Sequence, residues 1–265
     1  MDFNGTIAIV TGGASGIGKA LAEGLHKRGA RVAVCDLDGA GAEAVAKACG
    51  GIGRRVDVSD EGQVANFLNM VEREMGPVDV YFSNAGVGYS DGPLWQAASA
   101  PNAIWEKQWA INVMGSVYAA RHVIPGMVKR GKGIFLITAS AAGVLNQIGD
   151  AAYSATKAAA LSLAESIAIT HGDEGISAHV LCPQYVKSNM TALLPEAMKQ
   201  MDGIIEADEA AEITLSAIEA GQFLILTHKA TGEHYARKSG DRDRWLSGMR
   251  KMRRFLLEAN HGRPI

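Results

Sequence analysis

Tyr153 and Lys157 stand four residues apart within Ala151–His171, a stretch whose pattern is helical, so both side chains lie on one face. A neighbouring ammonium favours the phenolate and draws a tyrosine pKa down from its ordinary value of about 10, each unit corresponding to roughly 1.4 kcal/mol. The chemistry on offer is general acid/base exchange of a proton with a substrate oxygen. Such a pair also recurs by chance on helix surfaces. Ser140 strengthens the chemical reading, because it follows the β-rich run Gly133–Ala139 at a strand end expected to face the same crevice.

A second group of residues would bind rather than react. Thr11-Gly12-Gly13-Ala14-Ser15-Gly16-Ile17-Gly18 sits between a first strand and a first helix. Glycines there permit a tight turn and close approach of backbone to a diphosphate, and the helix N-terminus offers free N–H groups. The spacing is G-x-x-x-G-x-G with no Gly-Lys-Ser/Thr after it, which argues against a P-loop NTPase. Eighteen residues past Gly18, Asp36 closes the second strand, where a dinucleotide fold sets an acid against the adenosine ribose hydroxyls. A carboxylate there repels a 2′-phosphate, and neither Ser15 nor Leu37 brings a cation, so NAD is expected over NADP. A strand-terminating turn acid is the other reading, a role Asp38 could equally fill.

These residues need a frame, and the pattern of the chain provides one. β-rich runs at Thr6–Thr11, Arg31–Asp36, Arg54–Val58, Val78–Ser83, Gly133–Ala139, Ile176–Cys182 and Phe223–Leu226 are spaced along it. Between most of them lie helical patterns at Ile17–Arg28, Ala40–Ala48, Glu61–Glu74, Ile104–Lys129, Ala151–His171 and Asp208–Ala220. Consecutively apolar strands between amphipathic helices predict an α/β fold, a three-layer, Rossmann-type, doubly wound parallel sheet of about seven strands. Its ligand belongs outside the carboxyl ends of the strands.

Composition bounds the rest. With 48% hydrophobic and 20% charged residues in 265, the chain is too apolar to be disordered. Without an internal linker or repeat it reads as one domain over 1–265, with 228–265 as a C-terminal extension packed on the domain or on a neighbouring subunit. Charges nearly cancel, 26 Lys+Arg against 28 Asp+Glu, so no field draws it to nucleic acid. No apolar run approaches the ~20 residues of a membrane span. Met1–Gly5 lacks the basic and apolar regions of a signal peptide, so a cytoplasmic location is expected. Cys35, Cys49 and Cys182 are odd in number and scattered, and read as reduced thiols. The seven histidines show no paired ligand spacing, so no metal is implied.

Taken together, Thr11-Gly12 to Gly18, Asp57-Val58, Asn84-Ala85-Gly86, Asn112, Ser140 and Tyr153 with Lys157 occur in an order that resembles the short-chain dehydrogenase/reductase family, over roughly residues 4 to 227. The resemblance implies NAD-linked interconversion of a secondary alcohol and its ketone. By it, Tyr153 exchanges the proton, Lys157 binds the nicotinamide ribose and lowers the Tyr153 pKa, Ser140 hydrogen-bonds the substrate oxygen, and Asn112 holds a water of a proton relay. Asp57 and Val58 would contact adenine, while Asn84, Ala85 and Gly86 would support the sheet beside the cofactor. The family usually has Pro-Gly-x-Val-x-Thr after the sixth strand, and here the run is Pro183-Gln184-Tyr185-Val186-Lys187-Ser188. Val186 and Ser188 keep contacts to the nicotinamide carboxamide, whereas Gln184 replaces the permissive glycine. Pairing of the long helices between subunits, as a homodimer or homotetramer, is also implied.

Two other functions compete. Gly88-Tyr89-Ser90-Asp91-Gly92 matches the G-x-S-x-G elbow of serine hydrolases, although the strand ends near Ser83 and a loop follows Ser90. A non-catalytic dinucleotide-binding regulator would keep the glycine turn and dispense with the tetrad. For the substrate, the loops after strands four to six offer Trp95, Val144, Leu145, Tyr185, Met190 and Leu194, mostly apolar, which suit a hydrophobic, aromatic or alicyclic, even steroid-like, alcohol. In the tail, Trp245, Met249, Met252 and Leu256 recur at helical spacing beside Arg250, Lys251, Arg253 and Arg254. That pattern predicts an apolar face packed on the body or a neighbouring subunit, with a membrane surface as the other possible occupant.

Overall fold

The computed structural model describes residues 2–92, 96–188 and 203–259. Its strands are β1 (Ile7–Thr11), β2 (Arg31–Asp36), β3 (Ile52–Arg55), β4 (Val80–Ser83), β5 (Gly133–Thr138), β6 (Ile176–Cys182) and β7 (Leu224–Leu226). They form one sheet in the order β3-β2-β1-β4-β5-β6-β7, every pair parallel. The order reverses between β1 and β4, which opens a crevice at their carboxyl ends.

Alternation along β1 shows why the sheet must be covered on both faces. Ile7 and Ile9 enter one core, with Phe67 and Val71 of α3 (Glu61–Glu74), Ala119 and Val123 of α5 (Gly115–Arg130), and Ala160 and Ala164 of α7 (Ala151–His171). Ala8 and Val10 enter the other, with Leu21 and Leu25 of α1 (Gly16–Lys27), Val45 of α2 (Gly39–Ala48), and Leu215 and Ile218 of α8 (Ala207–Glu219). Burying both faces is what makes these strands apolar at every position. Aspartates begin two of the helices. Asp38 accepts from the Gly41 N–H at 3.0 Å at the start of α2, and Asp60 from that of Gln63 at 3.1 Å at the start of α3.

Four elements differ from the pattern expected. Strand β3 lies at Ile52–Arg55, so Val56 and Val58 bury their side chains beyond the paired segment. The single helix expected over Ile104–Lys129 is α4 (Asn102–Trp109), a π-helical turn (Ala110–Met114) and then α5. After β7 the chain forms two helices, α9 (Lys229–Gly240) and α10 (Arg242–Ala259), of which only the second was anticipated. The short α6 (Ala141–Leu145) also occupies what read as a loop after β5. In α10 the face carrying Trp245, Met249, Met252 and Leu256 is turned inward as expected, with the Trp245 ring 5.9 Å from that of His234 on α9. Arg250, Lys251 and Arg254 are exposed. Among the described residues no helix is long and apolar enough to cross a membrane, no cluster of metal ligands occurs, and all three cysteines are free and buried.

Candidate active site

The crevice begins at the turn between β1 and α1. Gly12 has φ +64°, and a Cβ there would lie 2.8 Å from the Ala85 Cα, so only glycine fits. At Gly18 a Cβ would fall well inside contact distance of the Gly12 carbonyl and 2.5 Å from Asn84 Nδ2. The turn is therefore packed against the start of the β4 loop and leaves the N-terminal amides of α1 open for an anion. Asn84 ties this corner together. Its Nδ2 donates to the carbonyls of Thr11 and Gly12, at 3.1 and 3.3 Å, and its Oδ1 accepts from Thr138 Oγ1 at 3.1 Å. At the end of β2, Asp36 accepts main-chain hydrogen bonds from Ala14 and Asp38, each at 3.0 Å, which fixes its carboxylate beside the turn. Asp36 thus also forms the turn that ends the strand, while Asp38 starts α2.

At the other end stands the tetrad. Ser140 closes β5 and precedes α6, where its Oγ accepts from the Ala142 N–H at 3.1 Å. It is also hydrogen-bonded to the Tyr153 hydroxyl. Lys157 is 3% exposed. Its Nζ donates to the Thr138 carbonyl at 2.9 Å and lies 5.6 Å from the centre of the Tyr153 ring. Asn112 sits in the π turn, buried, with Nδ2 donating to the Val87 carbonyl at 2.9 Å and to Thr156 Oγ1 at 3.0 Å. Its Oδ1 accepts from the Val87 N–H at 2.8 Å. The amide thus clamps the loop after β4 onto α7, and both its hydrogens are committed to that clamp.

One electrostatic expectation is overturned. Burial pushes the Tyr153 phenol up to about 12, Ser140 opposes the rise through its hydrogen bond, and the Asp150 carboxylate adds to it. Lys157 does not offset the rise, because a lysine that gives up its proton well below the tyrosine carries no charge when the phenol ionises. Burial instead lowers Lys157 itself to about 8. Asp150 is raised to about 6 by burial and by Asp91.

Every cofactor-side residue read from the sequence lines one cavity of about 360 Å³, from Gly12, Ser15, Gly16, Ile17 and Gly18, through Asp36, Leu37, Asp57, Val58, Asn84, Ala85 and Gly86, to Pro183, Val186 and Ser188. Ser140, Tyr153 and Lys157 face the same space. Val56, Val87, Ile111, Thr138, Ala139 and Gln184 also line it. The first five lie beside recognised motifs, which is the signal that would have found them.

The substrate wall differs from expectation. Val144 is 3% exposed and packed in the core beneath α6, and Leu145 packs against the same core, so neither lines the cavity. In a five-residue helix the inward face goes to the sheet. Tyr185 lies off the cavity too, its carbonyl accepting from the Ile205 N–H at 3.1 Å. Trp95, Met190 and Leu194 lie outside the described residues. Ser90 is exposed in a loop, its Oγ donating to the Gly149 carbonyl at 3.3 Å, and no strand-to-helix elbow forms around it.

A family model described as short chain dehydrogenase matches residues 6–199. Cis-4-hydroxycyclohexanecarboxylate dehydrogenase of Sinomonas cyclohexanicum is 32% identical over 236 residues, covering 84% of this chain and 93% of that protein. (+)-Borneol dehydrogenase 1 of Salvia officinalis is 33% identical over 229 residues, covering 80% and 86%. A solved short chain dehydrogenase/reductase from Burkholderia phymatum, crystallised in complex with NAD, superposes with a TM-score of 0.81 at 28% identity, covering 92% of this chain and 96% of that one. Sheet order, glycine turn and the matched family model agree, and the chain belongs to the short-chain dehydrogenase/reductase family of oxidoreductases.

Proposed function

We propose that this chain is an NAD-dependent dehydrogenase/reductase that interconverts a hydrophobic secondary alcohol, alicyclic or aromatic, and its ketone. The observation that carries the reading is the position of Tyr153. Its hydroxyl meets Ser140 and its ring faces Lys157, in the same cavity as the glycine turn and Asp36. A bound nicotinamide supplies the hydride acceptor or donor. The chain does the rest. The turn and the α1 N-terminus receive the diphosphate, and Asp36 takes the adenosine ribose. Lys157 binds the nicotinamide ribose, and Val186 and Ser188 hold the carboxamide. Ser140 steadies the substrate oxygen as charge develops on it.

Tyr153 moves the proton. With its pKa held near 12 by burial, the phenol is protonated at neutral pH and is set up to donate to a ketone oxygen. Oxidation of the alcohol needs the phenolate, so its rate should climb with pH. The relay role of Asn112 falls to the free lone pair of Oδ1 and to its main chain, because the amide hydrogens are taken. Both relatives named above bear alicyclic substrates in their names, which supports a substrate of that shape.

The decisive experiment is NADH-coupled turnover of cyclohexanol- and borneol-type alcohols by the wild-type chain and Tyr153→Phe. Turnover lost in the variant, with NADH still bound, supports the assignment; an active Tyr153→Phe enzyme would refute it. For the coenzyme, Arg55 is the register partner of Asp36 on β3 and supplies a cation that the sequence reading did not weigh. Asp36→Ala should therefore shift preference towards NADPH by about tenfold, as expected for one lost charge repulsion of roughly 1.4 kcal/mol. A homodimer or homotetramer through α5 and α7 is part of the same proposal, since Ile169 on α7 is 84% exposed. Light scattering that returns a monomer would remove it.

A further inference from the structure

The cavity is flanked by two segments, Ser140–Asn146 after β5 and Pro183–Ser188 after β6, and both are hydrogen-bonded to the same helix of the C-terminal extension. Thr231, in the first turn of α9 and fully buried, donates from Oγ1 to Gln184 Oε1 at 2.5 Å. The Gln184 N–H in turn donates to Thr227 Oγ1 at 3.2 Å, just before α9 begins. Lys238, in the last turn and 7% exposed, donates from Nζ to the Val144 carbonyl at 2.6 Å and to Asn146 Oδ1 at 3.1 Å. Seven residues separate Thr231 from Lys238, two helical turns, so both project from one face about 10 Å apart. Tyr235 lies between them on that face and packs against the core.

The Lys238 end is built around a costly conformation. Asn146 has φ +66° and ψ 142°, and among the described residues it alone has positive φ without being glycine. That region is close to glycine-only and costs of order 1–3 kcal/mol, and it persists where surrounding contacts over-determine it. Lys238 supplies such contacts, holding the Asn146 side chain and closing the last turn of α6 with a cation. The same α6 begins at Ser140, a member of the tetrad. At the other end Gln184 occupies the place of the usual glycine and lines the cavity, with its side-chain oxygen held by Thr231. Removing a buried partner from either contact would leave a polar group unsatisfied.

We propose that α9 is a strut that sets the spacing of the two walls at the substrate end of the cavity, with Thr231 and Lys238 as positioning residues and Gln184 as a determinant of substrate size. The proposal rests on the alcohol dehydrogenase reading for its kinetic consequence but not for its structural one. Lys238→Met keeps the length of the stem and deletes the charge. It should raise amide hydrogen exchange in a peptide covering 141–149 and leave 12–18 protected. In turnover it should raise the KM for borneol about tenfold, with a smaller change for cyclohexanol and an unchanged Kd for NADH, a split that general destabilisation would not produce. One lost hydrogen bond to a charged group supports that size of effect.

Thr231→Val and Thr231→Ser separate the hydroxyl from the fold, since serine should restore the wild-type ratio of the two alcohols and valine should not. Gln184→Leu combined with Thr231→Val should cost less than the sum of the two alone, because the two share one bond. Exchange over 141–149 that is unchanged in Lys238→Met, or additive losses in the Gln184/Thr231 cycle, overturn the strut. If no alcohol is turned over by the wild-type chain, the functional reading fails, and the exchange experiment still decides the strut.

Discussion

Asp150 stands at the N-terminus of α7, yet it does not cap that helix. The Ala151 N–H is taken instead by Asp91 from the β4 loop, with both carboxylate oxygens at 2.8 Å. The Asp150 carboxylate accepts from Gln147 Nε2 and is left partly buried near Asp91, which raises its pKa from 3.8 to about 6. A carboxyl raised in the folded state binds a proton more tightly there than in the unfolded chain. Above pH 6 its ionised form opposes folding, and the opposition fades as pH falls from about 6 to about 4. A shift of about two units is worth about 3 kcal/mol, and about 2 kcal/mol after allowing for solvent screening of a partly exposed group. Asp150→Asn keeps an acceptor for Gln147 and removes the charge. It should therefore stabilise the protein by about 2 kcal/mol at pH 8 and by close to nothing at pH 3, below both pKa values. Urea denaturation at the two pH values measures both. Because Asp150 also holds the Tyr153 pKa up, the rise of alcohol oxidation with pH should move to lower pH in the variant. Equal stabilisation at both pH values, or none at pH 8, would refute the reasoning.

Gly18→Ala forces its Cβ onto the Gly12 carbonyl and Asn84, so NADH binding measured by fluorescence should weaken by at least tenfold, the equivalent of about 1.4 kcal/mol. Burial lowers the pKa of His179, whose ring lies between Ser177 Oγ and the Gln222 carbonyl, each at 2.8 Å. Its unfolded form takes up a proton first, so stability should fall as pH drops below about 6.5, and His179→Gln should flatten that part of the curve. Ser90→Ala should leave turnover within about twofold and esterase background unchanged, since one exposed hydrogen bond is worth about 0.5 kcal/mol.

Where turn chemistry and apolar pattern agree, the elements were legible. Strands β2 and β6 and helices α3 and α7 occupy the residues expected, because glycine or aspartate marks their ends and the runs between keep one period. Strand β3 was displaced because Val56 and Val58 are apolar for another reason. Val58 packs against Gly115, where a Cβ would lie 3.1 Å from the Val58 carbonyl, and burial without pairing reads as strand. The π turn at Ala110–Met114 inserts one residue into a helix without interrupting its apolar face, so periodicity runs through it unmarked. The tetrad was legible as residue types at element ends. The burial of Lys157, which lowers its pKa to about 8, was not, because spacing on a helix gives a face and says nothing of how far that face is desolvated.

Helix α9 shows the limit most plainly. Its sequence, Lys229 to Gly240, is polar, and the contacts that seat it come from a buried threonine and a buried lysine, which no hydrophobic period reports. The matched family region ends at residue 199, and the glycine turn, tetrad and central strands lie within it. Thr231 and Lys238, proposed above to hold the substrate walls, lie beyond it. On the strut proposal, substrate choice therefore draws on residues beyond the matched region as well as on Gln184 within it. On this reading, similarity over the core carries the proton and hydride chemistry, while a change in α9 alone resets which alcohol fits between Ser140 and Gln184.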